Sequence, residues 1–101
     1  MIAGKQVDAE DILLQQSVMS QLSLSYLESG RYIQAIREYR ELLDKNSGMG
    51  PEYRGNIIHN LGVAQAGMFW FERAAESFEQ AFRMTGRPES ARQFLTAKRF
   101  A

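Results

Sequence analysis

The chain is predicted to be all-α, an array of antiparallel helical hairpins, on three observations. Segments 22–39 and 61–78 repeat one pattern: Leu22-Ser23 followed by Ala35 and Tyr39, then Leu61-Gly62 followed by Ala74 and Phe78. Thirteen residues separate leucine from alanine both times, and four separate alanine from the aromatic. Apolar residues recur at helical rather than strand period along nearly the whole length. Glycine and proline punctuate the pattern where hairpin turns are needed. Units of this size bury their apolar faces only by stacking on a neighbour, so the organisation implies binding rather than chemistry.

Each element has its own signals. Asp8 with Asp11 three residues later is a weak capping pattern, and Ile12, Val18, Met19, Leu22 and Tyr26 mark the apolar face of a long first helix, about 9–28. Gly30 ends it, and Tyr32, Ile33, Ile36, Tyr39, Leu42 and Leu43 define the facing second helix. The run Asn46-Ser47-Gly48-Met49-Gly50-Pro51 is a loop, with Pro51 suited to a first helical turn. Ile57, Ile58, Leu61, Val63 and Ala64 belong to a third helix; Phe71, Ala74, Ala75, Phe78, Ala81 and Phe82 belong to a fourth. Gly86-Arg87-Pro88 stops the fourth, and a fifth runs from Glu89 to about Arg99. The reading is one domain, 1–101: a first hairpin at 8–45, a second at 51–86 and a closing helix at 88–100.

Close packing of crossing helices explains the repeated pattern. Ser23 and Gly62 are small where the partner helix crosses, Ala35 and Ala74 are small for the reciprocal reason, and Tyr39 and Phe78 fill the remaining space. These residues read as core.

Composition narrows the function classes. Lys plus Arg and Asp plus Glu number 12 each, so no basic field attracts a phosphate backbone and nucleic acid is not an expected partner. Cysteine is absent, which removes disulfides, thiol nucleophiles and thiolate metal sites together. The first seven residues lack the apolar core of a signal peptide and no stretch approaches bilayer length, so the expectation is an intracellular protein without a membrane partner. No cofactor, phosphate loop or catalytic grouping is visible, and an enzyme is not expected.

Here the residues resemble a family. The tetratricopeptide repeat reads W-x2-L-G-x2-Y, then A-x3-F, then P, over about 34 residues. The first copy reads Met19-x2-Leu22-Ser23-x2-Tyr26, then Gly30, Tyr32, Ala35 and Tyr39. The second reads Ile58-x2-Leu61-Gly62-x2-Gln65, then Phe71, Ala74, Phe78 and Ala81. The resemblance covers roughly residues 16 to 88 and implies a right-handed superhelical array. Met19 and Ile58 replace the tryptophan, Gln65 replaces a tyrosine, and Leu42 stands where the second copy keeps Ala81. The copies are offset by 39 residues, and the surplus falls in the Asn46 to Pro51 loop, which should protrude or widen the turn.

The resemblance also implies a partner surface, because ligands of this family lie on the concave face lined by the first helix of each hairpin. Those positions are Ser20, Gln21, Leu24 and Leu27, then Asn56, His59, Asn60 and Val63, with Ser90, Gln93, Phe94 and Ala97 available from the fifth helix. A protein or peptide partner is therefore expected, with self-association or membership of a longer array as the alternative. Some members clamp a peptide's terminal carboxylate through Lys, Asn and Arg at inward positions. Ser20 and Leu24 stand at two of these and only Asn60 fits, so such a clamp is not expected.

His59 is the only histidine. No further ligands or held base accompany it, so it reads as a solvated groove residue, with a hydrogen bond to bound peptide as the sharper role. The pairs Glu38/Glu41 and Glu76/Glu79 read as solvated outer faces. In Met68-Phe69-Trp70-Phe71, Phe69 stands where the first copy has Gly30 and Trp70 where it has Arg31. These aromatics either plug the helix gap or form an exposed contact. On the fifth helix Ala91, Phe94 and Leu95 should pack on the fourth. Phe100 is then left without an internal partner, either frayed or available to a second copy as a homodimer contact.

Overall fold

A computed structural model describes residues 9–46 and 48–101. Asp8, and with it the start proposed for the first hairpin, lies outside the described residues. Five helices follow in order: α1 Ala9–Glu28, α2 Tyr32–Lys45, α3 Pro51–Gly67, α4 Phe71–Thr85 and α5 Pro88–Phe100. No strand occurs among the described residues.

Local chemistry sets the boundaries. Pro51 and Pro88 open α3 and α5 after extended residues Gly50 and Arg87, where a missing N–H costs nothing. Gly86 ends α4 in the left-handed conformation, its N–H bonded to the Phe82 carbonyl at 2.7 Å. The two hairpin turns are copies. Arg31 N–H bonds to the Tyr26 carbonyl at 2.8 Å and Trp70 N–H to the Gln65 carbonyl at 2.9 Å, while the residue before each donates to Leu27 and Ala66. This turn needs a positive φ at its corner. Gly30 supplies +79° without strain, whereas Phe69 takes +62° with a bulky side chain attached.

Every helix packs on its neighbours in sequence, so α2 lies between α1 and α3, and α4 between α3 and α5. The result is an elongated array, 56 × 27 × 16 Å. Ala35, Ile36, Tyr39, Leu42, Ile57, Leu61 and Ala64 form one core, and Ala74, Ala75, Phe78 and Ala97 the other. At the helix crossing the Phe78 ring lies so close to Gly62 that a Cβ there would stand 2.9 Å from it. Ser23, at the equivalent crossing, is fully buried and donates to the Met19 carbonyl at 2.7 Å. Gln65, where the repeat pattern has tyrosine, accepts a buried hydrogen bond from Ser77 at 2.6 Å.

Three expectations are corrected. On α1, Met19 and Tyr26 pack inward, but Ile12, Val18 and Leu22 are exposed, because no described helix lies beyond α1. The connection after α2 does not simply protrude: Met49 packs against the first core, while Asn46 bonds to the Leu42 carbonyl and to the Gln16 amide. On α5, Phe94 packs on the second core as expected, together with Ala97, while Ala91 is half-buried and Leu95 is exposed.

Candidate functional site

Two hydrogen bonds join the first helices of successive units into a row. Tyr53 Oη on α3 donates to the Gln16 carbonyl on α1 at 3.3 Å, and His59 Nδ1 on α3 lies 2.8 Å from Ser90 Oγ on α5. Arg87, just before α5, pairs with Glu52 on α3 at 2.7 Å. The surface of this row carries the predicted groove positions.

Between α1 and α3 is a shallow depression bordered by Ser17, Ser20, Gln21 and Tyr53. Between α3 and α5 is a cleft of about 220 Å³ lined by Asn56, His59, Asn60, Arg87, Glu89 and Ser90. Asn56, His59 and Asn60 therefore converge on one site. Gln21 and Leu24 are exposed on the same row and Gln93 is exposed on α5. Leu27 and Val63 serve the packing instead: Leu27 lies against the first core and Val63 against the second. Ala97 is buried in the second core and Phe94 packs against it, so the expected contribution of α5 reduces to Ser90, which lines the cleft, Gln93, and the polar edge at Arg87 and Glu89.

His59 is not simply solvated. It is half-buried, its ring meets Phe78 edge-on at 5.2 Å, and Ser90 fixes Nδ1. Burial lowers its pKa below the ordinary value of 6.5; Glu89 opposes the shift and Arg87 adds to it. The neutral imidazole is favoured, with Nε2 left for another partner. Beneath Asn60 the Tyr39 hydroxyl is fully buried with no hydrogen-bond partner of full geometry among the described residues. Burial raises its pKa to about 12, and the Asn60 side chain pulls it partly back.

Composition hid Tyr53, Arg87 and Glu89 from the sequence reading. Arg87 and Glu89 flank Pro88, and that helix start was the only signal that could have placed them on the groove edge.

A second surface gathers the odd aromatics. Phe69 is 77% exposed, its ring 6.0 Å from Phe71, which in turn lies 5.2 Å from Phe100. Phe100 thus has an internal neighbour in Phe71, contrary to expectation, because α5 folds back along the start of α4. Trp70 is half-buried against the first core and carries the Arg73 guanidinium 5.4 Å above its ring. Together they border a cleft of about 600 Å³.

Compared with known proteins, the chain matches no family model, no curated protein and no solved structure. Among the described residues no helix is long and apolar enough to cross a membrane, and no group of three or more His, Asp or Glu side chains could hold a metal ion.

Proposed function

We propose that this chain is a tetratricopeptide-like interaction module, a right-handed array that binds a protein or peptide along the row of α1, α3 and α5. One observation carries the reading. Asn56, His59 and Asn60, all half-buried, converge on a cleft bordered by one cation and one anion, Arg87 and Glu89. Carboxamides and a neutral imidazole donate and accept at once, which suits the alternating N–H and C=O groups of a peptide backbone. The opposed charges at the edge add orientation more than affinity.

The test begins with a pull-down from lysate to obtain a partner, followed by amide shift mapping with that partner isolated. Asn56, His59, Asn60 and Gln21 should move, while Glu38, Arg40, Glu76 and Arg83 on the second helices should not. Shifts confined to α2 and α4 would remove the groove from consideration.

A further inference from the structure

The two copies differ in one respect that their sequences do not announce. Position by position at the offset of 39, Val18, Leu22 and Ser25 on α1 correspond to Ile57, Leu61 and Ala64 on α3. On α3 these residues are covered: Ile57 is 2% and Leu61 8% exposed, packed with α2 in the first core. On α1 they are open: Val18 is 58% and Leu22 41% exposed, with Leu14 one turn earlier at 63%. At 100° per residue, positions 14, 18 and 22 span only about 80° of the helix surface, so they form one apolar stripe. It is angularly distinct from Ser20 and Leu24 of the groove.

The molecule itself shows what covers such a stripe. α2 presents one stripe of Tyr32, Ile36, Tyr39 and Leu43, all core or packed against it, with the Tyr32 ring directly against Gly67 of α3 and Tyr39 beside Asn60 of α3. Their spacing is i, i+4, i+7, i+11. The same positions on α4 hold Phe71, Ala75, Phe78 and Phe82. A second copy of the chain has no helix of this kind to spare, since α2 and α4 are each already held between two first-type helices.

We infer that the Leu14–Val18–Leu22 face of α1 is a docking surface for an amphipathic partner helix, one that presents aromatic and branched residues at i, i+4, i+7 and i+11. Binding repeats the α2–α3 contact one step further along the array, as a helix laid along an apolar face. The stripe adjoins the groove at Gln21, about 20° from Leu14 at 100° per residue, so Asn56, His59 and Asn60 report the groove, Val18 and Leu22 report the stripe, and the two surfaces fail separately.

The probe is a synthetic peptide of residues 31–46, the α2 sequence, titrated into the full chain. Alone such a short helix is mostly unfolded, so helical circular dichroism beyond the sum of the components reports docking. The methyl resonances of Leu14, Val18 and Leu22 should shift, those of Leu24 and Val63 should not, and a scrambled peptide should do nothing. Leu22→Glu should weaken the peptide by about tenfold or more without lowering the melting temperature, and Val18→Glu should do the same. Three outcomes overturn the inference: unmoved α1 methyls at saturating peptide, shifts at Ile57 and Leu61 from exchange into the internal slot, or the native chain's affinity retained in both variants. Light scattering gives a fourth. If the chain alone is a dimer that Leu22→Glu returns to monomer, the occupant is a second copy.

Discussion

Gly62 and Phe78 are set by each other: the ring edge of a fully buried phenylalanine occupies the space that any side chain at 62 would need. Gly62→Ala gains about 1 kcal/mol of helix propensity but drives a Cβ to 2.9 Å from a ring that core neighbours hold in place. The overlap prevails. Gly62→Ala should lose about 1–3 kcal/mol in denaturant unfolding, as should Ala74→Phe at a fully buried position. Asn56→Ala, in the cleft, should stay within about 0.5 kcal/mol. Equal stability of all three would mean that the crossing is not where Gly62 and Ala74 place it.

The equivalent leucines offer a sharper contrast. Leu61→Ala empties a core site and should cost about 2–5 kcal/mol, whereas Leu22→Ala, on an open face, should cost about 0.5 kcal/mol or less. Comparable losses from the two would show that α1 is covered in the free chain.

The hairpin corners respond in opposite directions. Gly30→Ala meets no neighbour but must hold a φ of +79°, and should lose about 1 kcal/mol. Phe69→Gly relieves a left-handed phenylalanine, and should gain up to about 1 kcal/mol after the added entropy of the unfolded chain. A marked loss on Phe69→Gly in a thermal melt would assign the stability to its contact with Phe71 instead of to backbone strain.

His59 makes stability depend on pH. Its pKa is lower folded than unfolded, so the unfolded chain takes up the proton first as pH falls. The contribution is complete above the unfolded value of 6.5, declines as pH drops from there to the folded value, and is constant below. Unfolding free energies at about pH 7.5 and about pH 5.5 should therefore converge in His59→Gln more than in the native chain. An unchanged difference in the variant would place the pH dependence elsewhere.

The helices were legible because their ends are local events: Pro51, Pro88, Gly30 and Gly86 act through their own backbones. The crossings were legible because Ser23, Gly62, Ala35 and Ala74 are small for a reason that packing dictates. Coverage was not, since Leu22 and Leu61 are the same residue in the same pattern and differ only in whether a helix lies beyond. The rotation of α5 escaped for a related reason: Ser90 looked like a surface residue until its hydroxyl met His59 across the helix gap. Of the residues that line the α3–α5 cleft, Asn56, His59 and Asn60 were reachable through the family resemblance, whose repeat register puts them on the inner face of α3. Arg87 and Glu89 could not, because a turn and not a helical period brings them there.

That α1 is packed mainly on α2, with no described helix over its outer face, also orders the molecule in time. In a one-dimensional stack each element is protected by its neighbours, and an end element has one where an interior element has two. Amide hydrogens of α1 should exchange through local fraying well before those of α3, which is held by α2 and α4 together. The exposed stripe therefore sits on one of the two outer described helices, the parts that open before α3, and a helix docking there would slow exchange across α1 while leaving α5 unaltered.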